Sequence, residues 1–502
     1  RIIPKIDNYI IGTNEKDNFL YNNLFKENDN LKGTDQNDYI KGRVDTLDRT
    51  DTGWDILDGG AGDDVLDGGS FNRQYGGYVV DIYKFDKNYG YDRVFGFSAS
   101  DIYEAYRDGL TGYDEYEAGI KSDKIQIPND VVSSATEIIN NAVTNEDGWA
   151  VLSFEGTQIV LHMISVDQLK PDYFHIIPRT SSDITGSFEE AGLRGINDML
   201  IGTDANDRIM GSNNPFWISG DGSDVLEGGK GDDVLIGGPG QRDGGGWSAD
   251  RYIFNSDFGN DYLISFFATD LVKYHNNASS GYGNPNGLGA LHSDRLEFLN
   301  SFASSATDLI NNATNNDDGW AKITLGNNSL TIFGISKDDL KPDYFHIIPA
   351  ITNLIEGTNN DDTLTGTSSN DYITGSSDAL GFYADGADII DGGEGDDVLN
   401  GGANKRSGGG FIEDTFIFND NSGNDLIIGF LFDGTGYRSE YNDVIQIKKN
   451  VNNSGITTFS DLLASTANNE DGWAKIDLGS GNSITLHGVS KSKLLIRNFI
   501  IN

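Results

Sequence analysis

Very short apolar runs recur along the chain, and glycine- and aspartate-rich residues separate each run from the next. The clearest runs are Val65-Leu66, Val234-Leu235 and Val398-Leu399. Runs of this length bounded by Gly and Asp predict short strands joined by tight turns. Taken alone, the periodicity therefore indicates a series of short strands separated by acidic turns.

Three of these turns fit the nine-residue pattern G-G-x-G-x-D-x-U-x, where U is a large apolar residue. This pattern is the calcium-binding repeat of RTX proteins, so the chain resembles the RTX family of secreted proteins. The resemblance implies a right-handed parallel β-roll in which two nonapeptides form one coil and calcium lies between stacked turns. The implied calcium-binding residues are Gly59, Gly60, Gly62, Asp64, Gly228, Gly229, Gly231, Asp233, Gly392, Gly393, Gly395 and Asp397.

Weaker copies surround each strong repeat, and many begin Gly-Thr rather than Gly-Gly, as at Gly12-Thr13. Aspartate holds position six of each copy and also opens the strand that closes each roll. These further calcium-ligand candidates are Asp17, Asp29, Asp38, Asp55, Asp81, Asp198, Asp207, Asp224, Asp250, Asp362, Asp371, Asp388 and Asp414. The alternative for a weak copy is an Asx-type turn that caps a strand without an ion. With about 6–8 oxygens per ion, we expect on the order of 3–5 calcium ions per module.

The repeats divide the chain into three similar modules, 1–178, 179–349 and 350–502. In each module the roll turns are followed by a closing strand, a variable loop, a short amphipathic helix, an Asp-Gly-Trp turn and a hairpin-like pair of strands. We expect an all-β protein of three tandem parallel β-rolls, each capped by a β-sandwich-like segment with one or two short helices. The layout resembles the C-terminal RTX domain of serralysin-type proteins.

The predicted helices span 133–143, 304–314 and 458–467. The chain opens with Arg1-Ile2-Ile3-Pro4, which matches the module ends at 175–178 and 346–349. We therefore expect residues 1–4 to be the tail of a preceding module in a longer tandem array.

The strong negative charge of the chain indicates which partners it can bind. The chain has 78 Asp+Glu against 36 Lys+Arg, a net charge of −42. Such a chain repels itself unless counter-ions bind, and calcium in the Gly/Asp turns would neutralise much of the excess. The acidity argues against nucleic acid as a partner, because that affinity comes from cationic contacts to phosphate. The 11% of aromatic residues and the apolar periodicity argue against disorder.

The sequence has no cysteine, so calcium is the available means of cross-linking short strands. No apolar run approaches the ~20 residues that span a bilayer, and no signal-peptide pattern opens the chain. The RTX resemblance implies type I secretion from a Gram-negative bacterium with an uncleaved C-terminal signal. We therefore expect an extracellular or cell-surface protein that folds where calcium is millimolar.

Motifs of the enzymes that carry RTX regions are absent. The sequence contains neither the H-E-x-x-H zinc motif nor the G-x-S-x-G nucleophile elbow, and we expect no enzyme activity in it. Histidines recur at equivalent module positions, which indicates structural roles for His175 with His346 and for His162 with His487. A transition-metal pair of His275 and His292, in one variable loop, is an alternative.

Aromatic residues supply the remaining candidates. Trp149, Trp320 and Trp473 recur at one module position, and we expect them to pack in the core of the caps, with a sugar-stacking platform as the alternative. The variable loops are rich in Tyr, Asn and Gly, residues that suit polar recognition. The candidate ligand-binding residues there are Tyr103, Tyr106, Tyr113, Tyr116, Tyr274, Tyr282, Tyr437 and Tyr441; the alternative is that these loops are tolerated surface insertions.

Two hypotheses of function follow. The leading one is a non-catalytic, calcium-dependent structural protein of the cell surface, such as a surface-layer, filament or adhesin component that associates with itself. The alternative is the polysaccharide-binding and secretion region of a larger extracellular enzyme, similar to the RTX modules of alginate epimerases. A pore-forming cytolysin tail has less support, because no apolar membrane-inserting region is present.

Overall fold

The computed structural model describes residues 4–11, 29–42, 55–69, 80–99, 122–186, 198–211, 223–238, 241–242, 246–247, 249–266, 294–376, 386–402, 413–431 and 442–502. The tyrosine-rich loops, Asp17, His275, His292 and residues 1–3 lie outside these ranges. Within them, no helix is long and apolar enough to cross a membrane.

Strands of three to six residues dominate every module. In the first module they are β1 Asn8–Ile11, β2 Asn30–Lys32, β3 Asp38–Lys41, β4 Ile56–Asp58, β5 Val65–Asp67, β6 Ile82–Lys84, β7 Gly90–Phe95, β8 Lys124–Pro128, β9 Val143–Thr144, β10 Ala150–Phe154, β11 Thr157–Leu161 and β12 Phe174–Ile177.

The second and third modules repeat this series. In the second module the strands are β13 Ser182–Thr185, β14 Met199–Ile201, β15 Asp207–Met210, β16 Val225–Glu227, β17 Val234–Ile236, β18 Gln241–Arg242, β19 Gly246–Trp247, β20 Arg251–Phe254, β21 Asn260–Ile264, β22 Arg295–Leu299, β23 Thr314–Asn315, β24 Ala321–Leu325, β25 Asn328–Ile332 and β26 Phe345–Ile348. In the third they are β27 Asn353–Glu356, β28 Thr363–Thr365, β29 Asp371–Thr374, β30 Ile389–Asp391, β31 Val398–Asn400, β32 Thr415–Phe418, β33 Asn424–Ile428, β34 Val444–Ile447, β35 Thr466–Asn468, β36 Ala474–Gly479, β37 Asn482–Leu486 and β38 Phe499–Ile501.

Successive roll strands alternate between two sheets. In the first module β1, β3, β5 and β7 pair in parallel in a seven-stranded sheet, and β2, β4, β6 and β8 pair in parallel in a five-stranded sheet. The same two sheets recur in each of the other modules. Two strands and two turns thus form one coil, which confirms the predicted all-β fold of tandem parallel β-rolls.

The core of each roll lies between its two sheets. The middle residue of each short strand points inward, and Ile40, Leu66, Leu57 and Tyr83 are all fully buried in one cluster. Because a three-residue strand offers one inward position, each coil adds only two such side chains. A large apolar residue at that position is therefore what the repeat requires.

The second half of each module continues the same two sheets. Strand β11 pairs in parallel with β7 and forms a hairpin with β10, while β12 pairs in parallel with β8. Before the hairpin comes one helix per module: α1 Ala135–Asn141, α2 Ala306–Asn312 and α3 Phe459–Ala464. These helices are shorter than the predicted segments. Ser134 caps the start of α1, since its side chain accepts a hydrogen bond from the backbone N–H of Glu137.

The modules stack face to face. The outer face of the five-stranded sheet of one module packs on the outer face of the seven-stranded sheet of the next. Ile56, Ile82 and Ile177 of the first module share a buried cluster with Val234 and Ile264 of the second. A second cluster joins the second and third modules through the side chains of Ile348, Tyr372, Val398, Leu426 and Ile428.

A buried ion network lies in the second of these contacts. Arg251 contacts Glu297 at 2.7 Å and lies over the ring of Tyr372 of the third module, 4.3 Å from its centroid. The Nδ1 atom of His346 is 3.0 Å from Glu297. Burial opposes ionisation of Glu297, but Arg251 and His346 lower its pKa to about 2. The carboxylate is therefore charged and paired within the stack.

Candidate calcium centres

Aspartates of successive coils are linked into two ladders in the first module. On the side of the seven-stranded sheet, the backbone N–H of Asp38 donates to Oδ1 of Asp64 at 2.7 Å, and the N–H of Asp64 donates to Oδ1 of Asp92 at 2.9 Å. Each carboxylate is therefore fixed by the turn before it. This hydrogen bond fixes the Oδ1 atom of each carboxylate. The Oδ2 atom of the same carboxylate faces the turn.

On the other side the ladder runs through the five-stranded sheet. The N–H of Asp29 donates to Asp55, that of Asp55 to Asp81, and that of Asp81 to Asp123, at 3.0, 3.0 and 2.9 Å. The other modules repeat both ladders: Asp207–Asp233–Asp261, Asp198–Asp224–Asp250–Asp294, Asp371–Asp397–Asp425 and Asp362–Asp388–Asp414–Asp443.

The second oxygen of several ladder carboxylates is buried without a hydrogen bond among the described residues. These Oδ2 atoms belong to Asp64, Asp92, Asp233, Asp261, Asp388 and Asp397. A buried acceptor left unpaired costs about 1–3 kcal/mol, and more when it is charged. Such a cost repeated through three modules indicates that a cation completes these carboxylates.

Burial of these carboxylates also changes their pKa values. Burial raises the pKa of Asp64 from 3.8 to about 7, although the N–H of Asp38 lowers it. Burial likewise raises the pKa of Asp92 to about 8. The pKa is raised for the same reason to about 7 in Asp233, about 9 in Asp261, about 6 in Asp388, about 7 in Asp397 and about 9 in Asp425. Without a cation, these groups keep their protons to a higher pH than an ordinary aspartate does.

Backbone carbonyls face the glycines of the strong turns. Gly60 and Gly62 have φ values of +83° and +137°, which side chains other than glycine rarely adopt. A Cβ on Gly60 would lie 2.3 Å from the carbonyl oxygen of Thr34, and one on Gly62 would lie 2.6 Å from that of Gln36. Glycine thus lets two stacked turns approach with their carbonyl oxygens between them.

These donors fit calcium. Calcium takes oxygen ligands only, from carboxylates and backbone carbonyls, in flexible geometry. Across the described ranges, no three His, Asp or Glu side chains converge on one point, so carbonyls must supply much of any coordination shell. In the first module Asp64 and Asp92, with carbonyls of the Gly-rich turns, are the residues that would hold an ion.

The ladders extend further than the nonapeptide spacing predicts. Asp92, Asp261 and Asp425 are the aspartates of the Gly-x-Asp elements, and Asp123, Asp294 and Asp443 follow the variable loops. None of these six was among the candidates. The signal available in the sequence was their recurrence in all three modules, each within or next to a strand. The predicted candidates other than Asp17 lie in described turns and at strand starts, and their role as ligands stays a prediction.

Comparison with known proteins identifies the repeats. A family model for the RTX calcium-binding nonapeptide repeat, described as four copies, matches residues 26–45, 49–74, 218–241, 352–379 and 384–404. Each strong repeat falls within a matched segment. The chain carries the calcium-binding nonapeptide repeats of RTX proteins. The unpaired carboxylates of its ladders are the physical counterpart of calcium binding by these repeats.

Among the solved structures that match is the extracellular lipase LipA from Serratia marcescens, to which this chain has a distant likeness. The two share 14% sequence identity over 89% of this chain and 67% of the lipase chain, with a TM-score of 0.17. The fold assignment rests on the strand registers and not on this likeness. No curated protein matches the RTX chain by sequence.

Two of the three recurrent tryptophans pack against the preceding module. Trp320 packs in the cluster that joins the first two modules, and Trp473 of the third module packs in the core of the second. Its Nε1 atom donates to Oδ1 of Asp343 of the second module at 3.2 Å. Trp320 and Trp473 are therefore buried in apolar cores as expected, but these cores include the preceding module, because the Asp-Gly-Trp turn reaches across to it.

Proposed function

We propose that this RTX protein is a non-catalytic, calcium-dependent structural protein of the extracellular space. It folds when calcium binds and associates at the cell surface as a surface-layer, filament or adhesin component. The observation that carries the proposal is the set of buried, unpaired carboxylate oxygens repeated through the ladders of all three modules. A fold that buries so many carboxylates depends on the cation that neutralises them.

Calcium then acts as a folding signal. In a cytosol low in calcium, a chain with a net charge of −42 repels itself and the ladders cannot close without protons. Outside the cell, binding free energy becomes folding free energy, because the site does not exist in the unfolded chain. This coupling suits export of the unfolded chain by type I secretion.

The residue types that often act in catalysis, histidine and glutamate, are explained here by roles in packing and ion pairing. Three of the four described histidines, His175, His346 and His487, are buried, and Glu297 pairs with His346 inside the stack of modules. The sequence has no zinc-protease or lipase motif. Stacked repeats gain stability mainly from contacts between neighbours, which is the property that an extended structural protein needs.

The test is size-exclusion chromatography with light scattering and circular dichroism, in EGTA and then in millimolar calcium. We expect an expanded chain in EGTA that compacts and gains β-structure in calcium, and that forms larger particles as its concentration rises. Magnesium at the same concentration is the control for general screening of charge. A chain of equal radius and equal β-content in both buffers would refute calcium-dependent folding.

A further inference from the structure

The two contacts between modules share a geometry and differ in chemistry. Strand register gives His175 and His346 the same place in their modules, each on the last strand of a five-stranded sheet. In the first contact, between the first two modules, the ring of Phe333 meets His175 edge-on with 5.6 Å between centroids. In the second contact, between the second and third modules, His487 takes the place of Phe333 and meets His346 edge-on at 4.6 Å. The second contact therefore buries two facing histidines.

Hydrogen bonds place one proton on each ring of this pair. The Nδ1 atom of His346 lies 3.0 Å from a carboxylate oxygen of Glu297, and the Nε2 atom of His487 lies 3.2 Å from the carbonyl oxygen of Phe345. Both oxygens accept, so both nitrogens are the donors. The two histidines are only 2% and 3% exposed. A second proton on either ring therefore creates a cation that is buried within the contact.

The surroundings of the pair do not favour such a cation. Among the described residues, the charged and titratable groups around the two rings are Arg251 of β20, Arg295 and Glu297 of β22, Asp343 just before β26, Glu356 of β27 and Tyr372 of β29. The carboxylate of Glu297 already pairs with Arg251, and that of Asp343 accepts from Nε1 of Trp473. A positive charge on His487 would add to that of Arg295.

Protonation of the pair is thus linked to opening of the contact. Burial lowers the pKa of His487 well below its ordinary value of 6.5, and His346 and Arg295 lower it further. Burial also lowers the pKa of His346, although Glu297 raises it. Each ring binds a proton more readily once the contact opens to water, so the closed contact loses stability as the pH falls below about 6.5.

Two such rings are enough to reverse the equilibrium between closed and open contacts. A ring that stays neutral in the closed contact and ionises in the open one lowers the ratio of closed to open by up to about tenfold per pH unit. From about pH 6.5 to about pH 4.5, two rings lower this ratio by up to about 10⁴-fold, the factor that moves a two-state equilibrium from about 99:1 to about 1:99. One ring alone supplies up to about 10²-fold.

The first contact is less sensitive to acid. It buries one histidine, His175, whose pKa is lowered by burial, and the ring that faces it is apolar. The connection between the first two modules is also held by Arg179, which pairs with Asp86 at 2.5 Å and with Asp130 at 3.1 Å. The uncharged Ala350 holds the corresponding place after the second module. The two contacts should therefore respond to acid at different pH values.

We infer that the second contact is a pH-sensitive hinge, closed near neutral pH and opened in mild acid, while the first contact stays closed. His346 and His487 sense the pH, and the packed faces of the two sheets are the element that opens. Opening separates the third module from the second and leaves each β-roll folded. The hinge operates within the calcium-bound chain and goes beyond the proposed structural role, which does not require it.

The experiment measures energy transfer between dyes on neighbouring modules, in saturating calcium from pH 7.5 to pH 4.5. Because the sequence has no cysteine, dyes can be attached at equivalent, exposed helix positions. Asn311→Cys/Ala464→Cys reports on the second contact, and Asn140→Cys/Asn311→Cys on the first. We expect transfer across the second contact to fall as the pH drops below about 6.5, and transfer across the first to keep its neutral value to a lower pH.

The two contacts supply each other's control. His487→Phe gives the second contact the ring of the first, and its opening should move to a lower pH, toward that of the first contact. Phe333→His gives the first contact a histidine pair, and it should then open at a higher pH than in the wild type. Transfer across the second contact that is constant from pH 7.5 to pH 4.5, or that falls equally in the wild type and in His487→Phe, would overturn the inference.

Circular dichroism and bound calcium, measured on the same samples, separate opening of the hinge from loss of the ions. We expect the β-content and the calcium stoichiometry to stay constant while transfer across the second contact falls. Acid that lowers transfer across both contacts together, with loss of β-structure and calcium, would assign the response to the aspartate ladders and would sink the hinge.

Discussion

At the scale of single residues, the fold depends on carboxylates that are unfavourable by themselves. Asp92 has one oxygen held by the N–H of Asp64 and the other buried without a hydrogen bond among the described residues. A protonated or metal-bound carboxylate suits that position, and a free anion does not. The same residue is therefore a source of instability without calcium and a ligand candidate with it.

Replacing Asp92 by Asn should reduce the stabilisation that calcium provides. Asn keeps the oxygen that accepts from Asp64 but loses the charge, so we expect a loss of about 1–3 kcal/mol in saturating calcium and a smaller loss at the lowest calcium concentration that still supports folding. The measurement is the melting temperature in these two buffers, with calcium stoichiometry by calorimetry. Asp167→Asn, on an exposed turn, is the control. An equal loss in both buffers would assign Asp92 a purely structural role.

The raised pKa values give a pH dependence with a defined sign. The folded pKa of Asp64 is about 7 and that of Asp261 about 9, against 3.8 for the ordinary group. Between about pH 4 and 9 the calcium-free fold holds protons that the unfolded chain has released, so its stability falls as pH rises through this window. Bound calcium replaces those protons and should abolish the loss.

Urea titrations at pH 5 and pH 8, at the lowest calcium concentration that supports folding and at saturating calcium, measure this effect. We expect calcium to stabilise the fold more at pH 8 than at pH 5, since protons compete with it at the lower pH. A calcium effect that is the same at both values would show that the ladder carboxylates do not bind the ion.

At the scale of elements, the turn and the short strand form one unit. The glycines set the turn, and a single inward Leu or Ile anchors the strand in the core. Local spacing predicted these turns well, because the repeat fixes residue type and position together. The spacing did not predict the ladder aspartates of the last coil. The regular step between bonded aspartates is 26 residues, as from Asp38 to Asp64. The last steps are longer, 28 residues from Asp64 to Asp92 and 42 from Asp81 to Asp123. The longer connections keep the hydrogen bond from a backbone N–H to an aspartate Oδ1, but they no longer follow the nine-residue period of the sequence.

Gly62→Ala tests whether the turn needs close approach as well as a positive φ. An L-residue in that conformation costs about 1–2 kcal/mol, and here the new Cβ would also displace the carbonyl of Gln36, 2.6 Å away. Gly326→Ala is the matched control, with a φ of +65° and no neighbour within 4 Å. We expect a larger drop in melting temperature and in calcium affinity for Gly62→Ala. Equal drops would show that backbone strain alone accounts for the effect.

At the scale of the whole molecule, stability comes from contacts between modules as well as within them. The stacking was not predictable from the sequence, because the outward positions of the five-stranded sheet mix apolar residues such as Ile82 with charged ones such as Lys84 and Arg251. Such an alternation is typical of a solvent-facing strand. Only the three-dimensional structure shows that the seven-stranded sheet of the next module covers these residues.

The three equivalent tryptophans give a direct measure of the coupling between modules. Trp473→Ala removes a side chain that fills the core of the preceding module, and changes of this kind cost about 3–5 kcal/mol. In calcium we expect the single unfolding transition to separate into two, because the third module loses its contact with the second. Trp149→Ala removes an equivalent side chain that no described module covers, and it should cost less and leave the transition single. Differential scanning calorimetry of a dilute sample measures both variants. If Trp149→Ala were as costly as Trp473→Ala, the tryptophans would stabilise their own caps, and the coupling between modules would have to come from the sheet faces alone.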